Sequence, residues 1–233
     1  MNVPVSLYWI VLVLYISINI WGTLNISSQF FLPTKFKGVG SNGSVSITFD
    51  DGPVPGATHR ILEILKKHGA NATFFCIGKN VNAQPELVRQ ILQEGHLFGN
   101  HSYFHGSFFD LQSGKKMMDE LINTNDAIRE ATGQVPRFFR PPYGVTNPML
   151  ANAVSQLKLI TVGWSVRSFD TIAKKRNRLL HRVTKNLQAG DIILFHDRCE
   201  ITKEILPDLL AYIAKAGLKV EPLDKLLGER AYA

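Results

Sequence analysis

Val45-Ser-Ile-Thr-Phe-Asp-Asp-Gly-Pro53 is a short run of β-branched and aromatic residues closed by two carboxylates and a Gly-Pro turn pair. A run of that kind bounded by turn formers reads as a strand. The same beat repeats towards the C-terminus, predicting strands at 45–49, 72–77, 96–100, 137–140, 159–164, 191–195 and 219–221. Between them, apolar residues at helical spacing predict helices at 58–68, 85–94, 111–131, 148–156, 177–187 and 201–215. Gly69, Gly95, Gly133, Gly190 and Gly217 stand where these helices should stop, as residues able to adopt positive φ. Short strands alternating with longer helices mark βα units and a parallel sheet. Seven strands with six helices between them predict a barrel-like α/β domain of seven units rather than eight.

Upstream the chain changes character. Residues 1–34 contain no Asp, Glu, Lys, Arg or His, so the net charge of +7 belongs to residues 35–233. The uncharged stretch from Val3 to Ile26 is long enough to cross a bilayer, which takes roughly 20 apolar residues. Tyr8, Trp9 and Trp21 lie near its ends, where amphipathic rings favour the headgroup region. A cleaved signal peptide should show a basic start and small residues at a cleavage site, and neither is evident. The expected organisation is therefore a transmembrane helix at 1–26, a linker at 27–44 with five turn formers in a row at 40–44, a single catalytic domain at 45–227 and a tail at 228–233. Lys35 and Lys37 follow the helix and by the positive-inside rule weigh towards a cytoplasmic domain.

The surplus of Lys and Arg is scattered, without a nucleic-acid-binding module or an aromatic-basic repeat, so no nucleic acid partner is expected. Attraction to anionic lipid or acidic glycan accounts for it equally well. Two cysteines, Cys76 and Cys199, imply neither a disulfide framework nor a Cys-based zinc site.

The polar residues that follow each predicted strand are Asp50-Asp51, His101 to His105, Arg140 to Tyr143, Trp164 to Asp170, and His196-Asp197. In a parallel α/β barrel such positions gather at the C-terminal face, where loops from different strands build the active site. His101 and His105 are four apart, so one helical turn would present both imidazoles on one side. With one carboxylate they make a set that leaves coordination positions open for water and substrate. Adjacent carboxylates at a strand end point in different directions, so one of Asp50 and Asp51 can bind a metal while the other takes a proton from water. His196 ends an apolar strand and would face the same mouth, where it could protonate a leaving amine. Arg140, followed by Pro141-Pro142, would be a fixed cation able to pair with the base. Each of these residues alone has an ordinary structural reading. Their convergence carries the functional one.

Thr48-Phe-Asp-Asp-Gly-Pro53, His101-Ser-x-x-His105, Arg140-Pro-Pro-Tyr143 and Leu194-Phe-His196 resemble, in order and spacing, the motifs of polysaccharide deacetylases of the NodB-homology type, carbohydrate esterase family 4. The likeness covers about Val45 to Leu227. It implies a distorted seven-stranded (β/α) barrel that removes an N-acetyl, in some cases an O-acetyl, group from a sugar. It also implies a divalent metal, zinc first, with cobalt, nickel and manganese as alternatives. By the same match Asp50 is the general base, Asp51, His101 and His105 hold the metal, and His196 is the general acid. Arg140 orients Asp50, and the Tyr143 backbone N–H helps hold the oxyanion.

Two departures stand out. A family motif that usually reads Asp-x-x-Asp-Trp is here Arg167-Ser-Phe-Asp170-Thr171, so the acid expected to tune the catalytic histidine is an arginine. Asp170 or Asp197 could take that place, or Arg167 could bind an anionic group of the substrate. Gly106 also stands where Pro often follows the second histidine. The expected partners are an N-acetylated glycan and, through residues 1–26, a membrane, with a monomeric domain on the extracytoplasmic side. Rival readings are a glycan-binding protein on the same fold with catalysis lost and a small-molecule amide hydrolase.

Overall fold

The computed structural model describes residues 4–38 and 43–233. Nine strands form one sheet: β1 Thr34–Lys35, β2 Ser44–Asp50, β3 Thr73–Cys76, β4 Leu97–Asn100, β5 Phe138–Phe139, β6 Ile160–Val162, β7 Val166–Arg167, β8 Ile192–His196 and β9 Lys219–Val220. Their order is β1-β6-β5-β4-β3-β2-β8-β7, with β9 beside the start of β2. Every ladder is parallel. Among the described residues β1 and β7 do not pair, so the sheet is a curled half-barrel with helices around it.

All seven predicted strands are present. The two additional ones, β1 and β7, are two residues long, too short for alternation to show in a sequence. β1 lies inside the stretch read as a linker and pairs with β6 at Thr34↔Thr161 and Lys35↔Val162. Most of the run of turn formers at 40–44 lies outside the described residues. The six predicted helices appear within about two residues of their expected ends, except that the helix expected from 111 begins at Gly114 and the one expected to reach 187 ends at Thr184. Short helices at Gly78–Ala83 and Leu223–Leu227 were not legible.

β2 and β8 are the central pair, and they are buried on both faces, as strands of a parallel sheet covered by helices should be. Ile47, Phe49, Phe74, Ile193 and Phe195 pack there against Ile61, Leu62 and Leu65 of helix Ala57–Lys67 and Ile205, Leu206 and Leu209 of helix Glu200–Lys215. Phe49 stacks on Phe74 at 5.1 Å and on Phe195 at 6.2 Å between ring centroids. This rigid centre delivers two side chains to the C-terminal edge, because the β2–β8 register sets Asp50 directly beside His196.

Residues Val5–Leu24 form a helix whose side chains are almost all exposed. It carries no acidic residue in its first turn and no basic residue in its last.

Candidate active site

An open cleft of about 210 Å³ at the C-terminal edge is lined by Asp50, Asp51, His101, His105, Tyr143 and His196, together with Trp164, Arg167, Phe169 and Arg198. All six residues that sequence reasoning expected to meet there do so, and Arg140 lies directly beneath them. Among the described residues, five of the seven non-glycine residues with positive φ sit in the loops of this edge: Asp51, Ser102, His105, Tyr143 and Phe169. Such conformations cost of order 1–3 kcal/mol each and persist where surrounding contacts over-determine them.

Arg140 is that kind of contact. It is fully buried, with its guanidinium 4.1 Å from the centre of the Phe75 ring. Its Nη1 donates to Asp50 Oδ1 at 2.8 Å and Thr48 Oγ1 at 2.7 Å, its Nη2 to Gly163 O at 2.8 Å and its Nε to Val162 O at 3.2 Å. Burial works to discharge the guanidinium, and the adjacent carboxylate works to keep it charged. One oxygen of Asp50 is thereby fixed, and the other faces His101 Nε2 at 3.7 Å.

The two imidazoles do not sit on a helical turn, contrary to expectation. Residues 101–105 form a loop with Ser102 and His105 left-handed. The buried carboxylate of Glu120 holds it, accepting from the backbone N–H groups of Tyr103 and Phe104, while His105 N–H donates to Ser102 Oγ. The outcome is the one the spacing required: both Nε2 atoms lie 3.6 Å from Asp51 Oδ1.

The donor chemistry fits a divalent cation. His101 Nδ1 lies 2.7 Å from the Arg140 carbonyl, which can only accept, so Nδ1 donates to it and Nε2 is the nitrogen turned towards Asp51. Burial, with His101 beside it, pushes the His105 pKa down to about 4, so that ring is neutral near pH 7. Burial opposes ionisation of Asp51, but His101, Arg198 and the neighbouring histidines outweigh it and hold the carboxyl below its usual range. One carboxylate oxygen of Asp51 and one ring nitrogen each of His101 and His105 lie within 4.8 Å of one another.

One partner was not foreseen. Arg198 donates from Nε to Asp51 Oδ2 at 2.8 Å, leaving Oδ1 to the histidines. Asp170 answers the question left by Arg167: its Oδ1 lies 2.8 Å from His196 Nδ1, and its Oδ2 accepts from His196 N–H and Thr202 Oγ1 at 2.7 Å. Burial alone would lower the His196 pKa. The bond to Asp170, with Asp50 and Asp51 near, reverses this and raises it. Asp197, the other candidate, instead accepts from Thr58 Oγ1, and burial pushes it up to about 7. Arg167 lies over Trp164 and Phe169, at 5.4 and 4.7 Å from their ring centres. Trp164 in turn packs on Gly144, where a Cβ would stand 2.4 Å from the indole and φ is +73°; no other residue suits that position.

The polysaccharide deacetylase family model matches residues 37–162. The peptidoglycan-N-acetylglucosamine deacetylase PgdA of Listeria monocytogenes is 33% identical over 82% of this chain, which spans only 40% of that protein's length. A chitooligosaccharide deacetylase of Bradyrhizobium sp. (strain ANU 289) is 33% identical over 84% of this chain and 96% of its own length. Among solved structures, the Bc1960 peptidoglycan N-acetylglucosamine deacetylase superposes with a TM-score of 0.80 at 28% identity, covering 85% of this chain and 94% of that one.

Proposed function

The chain belongs to the polysaccharide deacetylase family, and from that premise we propose that it hydrolyses the N-acetyl group of an N-acetylated glycan, releasing acetate and a free amino sugar. The observation that carries this reading is the meeting of Asp50, Asp51, His101, His105 and His196 in one cleft, with a separate buried partner for each of the two groups that would move protons. A glycan-binding protein would have no use for such an acid–base pair. Relatives named for peptidoglycan and for chitooligosaccharides support a β-linked N-acetylhexosamine as the sugar class.

Asp51, His101 and His105 would hold a divalent cation, zinc first among them. When bound, it would polarise the acetyl carbonyl and make a water molecule acidic near neutral pH. Asp50, oriented by Arg140, takes a proton from the attacking water. The backbone N–H of Tyr143 donates to the developing oxyanion. His196, with Nδ1 committed to Asp170, directs Nε2 into the cleft and gives its proton to the departing nitrogen, so the C–N bond breaks to a neutral amine. Arg198 keeps Asp51 ionised and turned towards the imidazoles.

Val5–Leu24 serves as a retained membrane anchor in this reading, with the domain on the extracytoplasmic side, where cell-wall glycans lie. Its length, hydropathy and exposure support the anchor, and the peptidoglycan deacetylases among its relatives support the side.

Acetate and free amine, measured together after incubation of the full-length chain with peptidoglycan and with N-acetylglucosamine oligomers, test the activity. Equal amounts of both products from at least one glycan are expected; binding without either product would refute it. Asp170→Asn gives a second outcome. Turnover needs His196 protonated, so activity is lost as pH rises through the raised His196 pKa. Removing the carboxylate lowers that pKa, and the alkaline limb of the kcat profile should move to lower pH, with maximal kcat reduced by about 10²-fold.

A further inference from the structure

The last turn of helix Val5–Leu24 is built into the rim of the cleft. Thr146 N–H donates to Thr23 O at 3.0 Å, and its Oγ1 lies 3.4 Å from Gly22 O, three residues after Tyr143. Gly22 is the one buried residue of the helix, and a Cβ there would meet the Phe30 ring at 2.4 Å. Ile26, also buried, lies against Gly163, the neighbour of Trp164. Trp21 marks the helix end that belongs at headgroup level. A rise of about 1.5 Å per residue then keeps whatever touches Gly22 and Thr23 within a few Å of that level.

Two stretches of the rim continue from this junction. Asn147, next to Thr146, donates to Asp110 O at 2.8 Å, and on either side of Asp110 stand Phe108, 72% exposed, and Leu111, 74% exposed. On the other side Trp164 leads through Arg167 to Phe169, and Ile172 beyond it is 73% exposed. The run after Ile172 is Lys174-Lys175-Arg176-Asn177-Arg178, all exposed, and among the described residues only Arg176 has an acidic partner, Asp208. Large apolar side chains in front of uncompensated cations suit one surface well, a bilayer interface containing anionic lipid.

The geometry points to the catalytic mouth itself resting on the membrane, with Phe108, Leu111 and Ile172 entering the headgroup layer and Lys174, Lys175 and Arg178 meeting lipid phosphates. This rests on the retained-anchor reading of Val5–Leu24, and it goes beyond it. A simple anchor leaves the domain free to turn any side to the bilayer, whereas this junction fixes which side faces down. The acetyl group must then be presented close to the headgroups rather than deep in a polymer layer.

The test needs no turnover. In a Cys199→Ser background, with Cys76 buried, a polarity-sensitive fluorophore is placed at Phe108→Cys, Ile172→Cys or Lys67→Cys of the full-length chain. The chain is reconstituted in phosphatidylcholine vesicles containing phosphatidylglycerol and headgroup-region spin-labelled lipid. Lys67 ends the helix that runs back from β2 to the opposite end of the sheet, so it reports the far side. Labels at 108 and 172 should be blue-shifted and quenched several-fold more than the label at 67. Reversing Lys174, Lys175 and Arg178 to Glu should reduce quenching at 172. Equal quenching at all three positions, or release of the chain by an alkaline wash, would overturn the inference. A deacetylase with equal quenching keeps the proposed reaction, and an inactive chain with the expected quenching keeps the membrane contact.

Discussion

Asp50→Asn is expected to lower kcat for acetate release by about 10²–10⁴-fold, the range attributable to a positioned general base, with KM changed little. Asn has the volume of Asp and can still accept from Arg140 Nη1, so the cleft keeps its shape while losing the group that removes a proton. Arg140 retains Thr48, Val162 and Gly163 as acceptors, which keeps the variant folded. Steady-state kinetics alongside a melting curve separate the two effects. Activity within a few-fold of the unsubstituted chain, in a folded variant, would remove Asp50 from the role of base.

The second large effect is on stability. Arg140→Ala is expected to destabilise the domain by about 3–5 kcal/mol, because Asp50 is left as a buried carboxylate without its partner and the space under the cleft is emptied. For a domain of this size that is a fall in Tm on the order of 10 °C. Arg140→Lys should recover only part of it: a single ammonium cannot reach the acceptors on β2 and β6 that the planar guanidinium spans. Calorimetry of the two variants beside Asp50→Asn reads this directly. A melting temperature unchanged in Arg140→Ala would mean that the ion pair neither supports the fold nor holds the base.

What the sequence made legible and what it hid have physical causes. Ser44–Asp50 and Ile192–His196 announce themselves because buried parallel strands are continuous apolar runs, and their last residues fall at the edge where parallel sheets place chemistry. The spacing of His101 and His105 gave the right neighbours by the wrong route: a loop braced by Glu120 does what a helical turn would have done. Glu120 itself, in the middle of helix Gly114–Thr132, looks like any surface acid until its burial is known. Arg198 and Asp51 are 147 residues apart and Asp170 and His196 are 26 apart. Nothing in local pattern pairs such residues; only the β2–β8–β7 neighbourhood does. Arg167 left two acids as candidates; the turn after β7 brings Asp170 to His196 Nδ1, while Asp197, just after β8, is engaged by Thr58. Thr34–Lys35, in a stretch read as linker, shows that a two-residue edge strand leaves no periodic trace.

In the proposed reaction one cleft, with Asp51, His101 and His105 around a cation, would cut an acetyl–nitrogen bond. The most direct measurement is acetate release by the full-length chain in detergent from N-acetylglucosamine oligomers, followed by proton NMR before chelation, after it, and after zinc is returned. Acetate should appear in step with free amine, stop when the metal is removed and resume when it is restored. Release that continues undiminished in the stripped protein, or that never occurs with any divalent metal supplied, would contradict the account.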